Sequence, residues 1–535
     1  MCATIKSMLW VETVSNKAKE RYAELLDSGK PLVIRDEKTM SGRVHVGSLR
    51  GVAIHGLVDE WLRSLGIKTK FIFEINDFDP MDGLPVYLDK GVFESHMGKP
   101  LVSAPAPDGK TKNYAEYFGK EFIGVIKEIG YEPEFYRSSD YYRSGKYNKV
   151  IRLALDNAQK IREIYKRVSG AVKEDDWFPL SVVCEKCGKV GTTKASNWDG
   201  KKVSYQCGDF VEWAKGCGFV GSADPFDGRA KLPWKVEWAA KFTVFDVHIE
   251  GGGKDHSTRG GAREIADAIS REVFRREPPI NIPYEFIQAE GKKMSSSKGK
   301  GASSREVADL LPPKLLRTLL LQKEPQRVVE FIPDGDTIPV LFDNYDRFAK
   351  NYWAKATDDF ARLFPFFHLP GERKELMTSK ILPRFSNVAY LVQMPHLDLK
   401  TEIEKLESVT LSNHDISELS ERAECAKRWL RDYAPEDYQF SIQNILPEAA
   451  KHFSDLQRSA LSEVKKFIEG AEKVDGQTFH TTLHDIKTRL NISPKDFFSA
   501  IYLSILGKES GPKAGWFLSV LDREFLIKRL TDAAS

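Results

Sequence analysis

The segment from Pro31 to Ile75 constrains the fold more than any other part of the chain. Pro31–Asp36 reads PLVIRD, a short apolar run suited to a strand buried on both faces. A loop rich in small residues follows, Thr39 to Gly42. Leu49, Val52, Ala53, Leu57, Trp61, Leu62 and Leu65 then recur at spacings of three and four, which predicts an amphipathic helix. Gly66 is placed to end it, and Phe71–Ile75 is the next strand candidate. Strand, loop, helix and strand in this order form half of a doubly wound nucleotide-binding sheet, so the fold class is α/β.

A chain of 535 residues exceeds one hydrophobic core, so several domains are expected. Residues 79–110 are rich in Pro, Gly and Asp and read as irregular, and 114–169 read as mostly helical. Cys184 to Cys217 reads as small and loop-rich. Phe242–Ile249 reads as a strand, followed by three glycines and a helix through Val273, and Glu285–Gln288 as another strand. After Pro312 amphipathic helices dominate. One carries Phe453, Leu456, Leu461, Val464, Phe467 and Ile468, and another follows Ser493-Pro494 with Phe497, Ile501 and Ile505. The expected division is an α/β domain over 1–310 with an insertion at about 90–240, a connecting region over 311–360 and an α-helical domain over 361–535.

The hydrophobic and charged fractions, 41% and 29%, fit an ordinary soluble globular protein, and no apolar run is long enough to cross a membrane. Met1–Lys6 lacks the pattern of an export signal, so the cytoplasm is the expected location. A net charge of +3 neither demands nor excludes a nucleic-acid partner.

Two loops have the chemistry of a phosphate site. The first, Thr39-Met40-Ser41-Gly42-Arg43-Val44-His45-Val46-Gly47-Ser48, lies between a strand and a helix N-terminus, where free backbone N–H groups and the helix dipole favour an anion. Gly47 permits close approach of a nucleotide, and His45 can donate to a phosphate oxygen. The second, Gly291-Lys292-Lys293-Met294-Ser295-Ser296-Ser297-Lys298-Gly299-Lys300, brings four lysines to a glycine-flanked loop. Alone, the first is a tight turn with a surface histidine and the second a solvated basic linker. Between them Gly252-Gly253-Lys254-Asp255-His256 follows a predicted strand, and a carboxylate there can accept from both ribose hydroxyls of a nucleotide.

Four of the six cysteines, Cys184, Cys187, Cys207 and Cys217, fall in one stretch. Cys184-x-x-Cys187 has metal-ligand spacing, and four thiolates suit a closed, structural, tetrahedral Zn²⁺ site. The segment 180–222 has little core of its own, which favours a metal over four free thiols.

Together the loops resemble a known family. His45-Val46-Gly47-Ser48 resembles the HIGH signature of class I aminoacyl-tRNA synthetases, and Lys293-Met294-Ser295-Ser296-Ser297 resembles their KMSKS signature. Ser296 stands where many members have lysine, and either Lys292 or Lys298 is placed to supply the charge. The stretch from Met97 to Gly109, Tyr141–Tyr147, Lys231–Trp238, Pro313–Arg317, Asp343–Arg347 and Phe497–Leu521 resemble the class I lysyl-tRNA synthetases in particular. The resemblance implies a Rossmann-like catalytic domain with a zinc-binding insert, followed by an all-α anticodon-binding domain. It also implies ATP with Mg²⁺, L-lysine and tRNA(Lys) as ligands. His45, Ser48, Lys293 and Lys298 are the expected catalytic residues. Gly42, Gly47, Gly253, Asp255, His256, Met294, Ser295, Ser296 and Ser297 are expected at the nucleotide. A lysine pocket needs an acceptor for the ε-ammonium and an apolar wall for the stem. Glu237 is expected as the first, Trp234, Trp238 and Tyr284 as the second, and Thr39 beside the α-amino group. Glu37 departs from the glycine expected there. No membrane or DNA partner is expected, and the chain is expected to act as a monomer. The rival readings are a glutamyl-type synthetase, whose pocket needs arginines, a non-catalytic tRNA-binding paralogue, and a short nucleotidyltransferase with the same first loop.

Overall fold

The computed structural model describes residues 9–289, 292–293, 302–394, 397–471 and 474–535. The chain divides into two compact units. One comprises 1–331 with 347–378, and the other 332–346 with 379–535.

The first unit is built on a parallel sheet. β1 (Leu32–Thr39) pairs in register with β2 (Thr69–Asn76), which pairs with β3 (Glu134–Arg137), all parallel. Ile249 extends the sheet past β1 through parallel bridges to Ile34 on one side and Ile280 on the other. Gly252–Gly253 then pairs in parallel with Pro283–Tyr284. The strand order therefore reverses direction at β1, the arrangement of a doubly wound fold, whose ligand crevice lies at the carboxyl ends of the strands flanking that point.

The helix Gly47–Ser64 makes the first crossover and packs on β1 and β2. It ends at Gly66, whose N–H closes on the Arg63 carbonyl. Its length costs three buried polar side chains, Arg50, His55 and Asp59, each of which finds a partner.

Two expectations change and one holds. β1 continues to Thr39, beyond the predicted Asp36, because its charged end finds buried partners. The 114–169 segment is mostly helical as read, in helices Tyr114–Glu128, Ser138–Arg143, Asn148–Asp156 and Ala158–Ser169, with β3 between the first two. Phe242–Ile249 is not a strand. The helix Trp234–Val244 runs into it, Asp246 turns the chain at positive φ, and Ile249 alone reaches the sheet. Phe242 is buried on that helix, and Thr243 and Val244 are half-buried on it, rather than on a pleat.

The segment from Cys184 to Cys217, read as loop-rich, supplies two strands of a three-stranded antiparallel sheet, Thr193–Trp198, Val203–Cys207 and, just beyond it, Val220–Ala223. The second unit is helical. It includes Asn413–Asp432, Asp455–Gly470 capped by Ser454, and Pro494–Leu506, which starts on Ser493 with proline in its first turn. Phe497, Ile501 and Ile505 lie in its core with Leu461, Val464 and Ile468. Among the described residues no helix is long and apolar enough to cross a membrane.

Candidate active site

The first glycine-rich loop sits at the carboxyl end of β1, as the strand–loop–helix order requires. Gly42 is buried in the bend between Met40 and Arg43. His45 and Ser48 lie at the start of the helix, with the Ser48 N–H donating to the His45 carbonyl at 3.0 Å. Gly47 has no room for a side chain. A Cβ there would stand 2.8 Å from His45 Nδ1, so the imidazole folds back over the helix N-terminus.

The segments that flank the second loop, Ile287 before it and Ala302–Ser304 after it, approach this first loop. Val46 N–H donates to the Ala302 carbonyl at 3.1 Å, and Ser304 N–H to the Val44 carbonyl at 2.7 Å, which pairs His45 with Ser303. At the other end, Lys292–Lys293 pairs antiparallel with Ile287–Ala289, and the Ile287 carbonyl lies 3.7 Å from the space over Gly47. Met294, Ser295, Ser296, Ser297 and Lys298 lie outside the described residues.

The third motif joins the same crevice. Gly253 pairs with Tyr284 across the sheet, and Lys254 N–H donates to the Tyr284 carbonyl at 2.8 Å. A Cβ on Gly253 would meet Asp255 Oδ1 at 2.8 Å. Asp255 and His256 are both exposed enough to meet a ligand. Trp234, Trp238 and His256 form one aromatic cluster, with Trp234 stacked 6.3 Å from Trp238 and 5.3 Å from His256. Trp238 is buried while Trp234 presents a face to solvent.

Beneath these groups lies a charge network that the sequence reading missed. Side chains alternate along β1, so Arg35, Glu37 and Thr39 share one face. Glu37 stands opposite Glu74 of β2 in register, a pairing of like charges that is destabilising by itself. Two cations resolve it. Arg35 binds Glu37, Glu74 at 2.5 Å and Glu250 at 2.7 Å. Lys241 binds Glu37 at 2.5 Å, Glu74 at 2.9 Å and Glu237 at 3.4 Å. Burial works against the Lys241 charge, yet Glu237, Glu37 and Glu74 hold the ammonium well above its ordinary pKa. Burial likewise opposes ionisation of Glu37, and Lys241 and Arg35 outweigh it, keeping this carboxyl well below the usual range. The Glu37 side chain remains 34% exposed, the open edge of an otherwise sealed cluster.

The predicted pocket residues occupy different places in this network. Thr39 donates to Asp79 Oδ2 at 2.8 Å, and Asp79 binds Lys231 at 3.0 Å. Glu237 is 1% exposed and committed within the protein. It accepts from Tyr142 at 2.7 Å and Lys231 at 2.5 Å, besides Lys241. Trp238 donates to Glu250 at 2.7 Å. Five carboxylates, Glu37, Glu74, Asp79, Glu237 and Glu250, thus face three cations, Arg35, Lys231 and Lys241. The signal that points to this network is the run Arg35-Asp36-Glu37-Lys38, charge placed inside a strand of a buried parallel sheet.

In the insert, the four cysteine sulfurs lie within 4.8 Å of one another. Cys184 and Cys217 are 3.6 Å apart and Cys187 and Cys207 3.7 Å. Those separations are far too long for disulfides. They match the ~3.8 Å between sulfurs around a tetrahedral ion with bonds of about 2.3 Å. Gly188, at φ +72°, lets its N–H return to the Cys184 carbonyl and closes the first knuckle. The cluster fits a four-thiolate metal site.

The model of the family described as tRNA synthetases class I (K) matches residues 8–372, and that of an anticodon binding domain matches residues 380–534. The chain belongs to the class I tRNA synthetases of type K. It is 33% identical over 531 residues to a lysine–tRNA ligase of Methanosarcina barkeri (strain Fusaro), an alignment covering 96% of each chain. A lysine–tRNA ligase of Methanococcus maripaludis is 31% identical, with 98% of this chain and 99% of the relative aligned. That of Thermoplasma acidophilum is 32% identical, covering 92% and 94%. In this synthetase the first signature loop pairs through its backbone with Ala302–Ser304, the segment that follows the second.

Proposed function

We propose that this synthetase attaches L-lysine to tRNA(Lys) with ATP. The lysine carboxylate attacks the α-phosphorus. A new P–O bond forms, the bond to the β-phosphate oxygen breaks, and pyrophosphate leaves. A ribose hydroxyl of the terminal tRNA adenosine then attacks the lysyl carbonyl, and AMP leaves. Chemistry of this kind is mostly positioning and charge stabilisation.

The observation that carries the reading is the excess of carboxylates at the strand ends beside the glycine-rich loop. A glutamyl-type pocket needs unpaired cations for the substrate side chain. Here Arg35 is wholly buried and saturated by Glu37, Glu74 and Glu250. An anionic surrounding selects a cationic amino acid.

In this reading His45, Ser48, Lys293 and Lys298 stabilise the phosphates. Gly47 lets the nucleotide approach the backbone, Gly42 and Met294–Ser297 bind it beside Gly47, and Gly253, Asp255 and His256 meet its ribose and base. Mg²⁺ accompanies ATP. Trp234, Trp238 and Tyr284 wall the amino acid, and Thr39 lies near its α-amino group. Residues 1–310 carry adenylation and 361–535 grip the tRNA. The four cysteines hold a structural Zn²⁺. Purified protein is expected to carry about one zinc per chain, lost in Cys184→Ser, and zinc absent from both sinks that assignment. Charging decides the main reading. Radiolabelled lysine should become acid-precipitable on tRNA(Lys) only with ATP, and charging with glutamate instead would overturn it.

A further inference from the structure

With Glu237 committed to Tyr142, Lys231 and Lys241, and Glu37 to Arg35 and Lys241, the ε-ammonium of a bound lysine needs another acceptor. Asp36 lies on the face of β1 opposite Arg35 and Glu37, outside their network. It is 7% exposed. Its Oδ1 accepts the Glu37 N–H at 2.8 Å. Among the described residues the one basic group within 4.0 Å of its carboxylate is His55, with Nδ1 at 3.4 Å from Oδ2.

That histidine does not neutralise Asp36. His55 Nε2 accepts the Gly251 N–H at 2.7 Å, so this nitrogen carries no proton. The ring proton is on Nδ1, 2.7 Å from the Gly51 carbonyl oxygen that it serves. Against burial, the Asp36 charge draws the His55 pKa upward, but a proton on Nε2 would cost the Gly251 N–H its acceptor, so the ring that accepts this bond is neutral. A buried carboxylate left without a cation is costly.

The Asp36 carboxylate shares its space with a hydroxyl. A Cβ built on Gly51 would stand 2.9 Å from Asp36 Oδ2 and 2.7 Å from the Tyr284 hydroxyl oxygen. The two oxygens therefore converge over a helical residue with no side chain. Burial, with the charge of Asp36, pushes the Tyr284 phenol well above its ordinary pKa, so it stays protonated and neutral. Its backbone pairs with Gly253, which fixes the ring at the wall of the nucleotide crevice.

We infer that Asp36 and the Tyr284 hydroxyl, converging over Gly51, form the seat of the substrate's ε-ammonium. The inference rests on the lysine reading above and makes Asp36 the specificity-determining acid. The ammonium donates to Asp36 Oδ2 and to the phenol oxygen, pairing the buried charge only when lysine is bound. A substrate with a neutral hydroxyl in place of the ammonium leaves Asp36 uncompensated and is rejected.

The test is ATP–pyrophosphate exchange with L-lysine and with 6-hydroxynorleucine, its ε-hydroxyl analogue. Wild-type protein, Asp36→Asn and Tyr284→Phe are compared. Asp36→Asn should raise the KM for lysine by about 100-fold or more, as loss of one partner of a buried charge pair does. Its KM for ATP should stay within about twofold of wild type, and its preference for lysine over the analogue should collapse. Tyr284→Phe should raise the lysine KM by about three- to tenfold. Asp36→Asn that keeps the lysine KM, or weakens lysine and the analogue equally, overturns the seat. Should Asp36→Asn fail to fold by its thermal midpoint, Tyr284→Phe decides, and an unchanged preference for lysine then overturns it. Failure of wild-type protein to activate lysine rejects the lysine reading instead.

Discussion

Each unit of the molecule buries an arginine among carboxylates, and the two clusters serve different ends. In the helical unit Arg422 grips both oxygens of Asp346, Glu418 at 2.9 Å and the Pro383 carbonyl at 2.9 Å. Its carboxylate partners are sealed, with side chains no more than 10% exposed. In the sheet unit Arg35 and Lys241 grip Glu37, Glu74, Glu237 and Glu250 at the carboxyl ends of the strands, and Glu37 opens to the crevice. Negative excess alone therefore does not make a site. Position at the strand ends, with one edge open to solvent, separates the cluster in the sheet unit from the sealed clasp in the helical one.

The largest effect should come from breaking either cluster. Lys241→Met takes one cation from Glu37, Glu74 and Glu237, and Arg422→Met takes one from Asp346 and Glu418. Each should lower stability by about 3–5 kcal/mol in urea unfolding. Only Lys241→Met should also raise the lysine KM. An equal KM change in Arg422→Met would erase the distinction between the clusters.

His45→Ala tests the catalytic side without touching either cluster. Loss of one preorganised donor to the phosphates should cut the exchange rate by about 10²–10³-fold, with the thermal midpoint unchanged. A rate within tenfold of wild type would remove His45 from the phosphate site.

The smallest stability change, and the sharpest contrast, belongs to Gly51→Ala. Alanine in a helix interior gains roughly 0.5–1 kcal/mol over glycine, while its Cβ pushes on Asp36 and on the fixed Tyr284 phenol, and the two effects oppose each other. The variant should melt close to wild type yet bind lysine several-fold more weakly. Unchanged lysine binding would show that the space over Gly51 is unused.

The scaffold was legible where local pattern decides it. Leu49 to Leu65 has helical spacing, and the helix occupies Gly47–Ser64. Pro31–Asp36 and Phe71–Ile75 lie on paired strands. Legibility ended where partners come from far along the chain. The strand reading stopped at Asp36 because charge normally ends a buried strand. Glu74 and Lys241, 39 and 206 positions from Arg35, are what let β1 run on to Thr39. Phe242–Val244 has strand composition, but the helix begun at Trp234 claims it. Glu237 looked available because its three partners, Tyr142, Lys231 and Lys241, are brought together only by the fold. Gly51 carried no signal at all, since a helical glycine shows its use only when Asp36 and Tyr284 are in place.

The central claim is lysine activation in a crevice shared by the two loops. ATP–pyrophosphate exchange with each amino acid in turn tests it most directly. The account predicts exchange with lysine, none above background with glutamate, and loss of the lysine signal in His45→Ala. Exchange with glutamate, or with no amino acid at all, would contradict it.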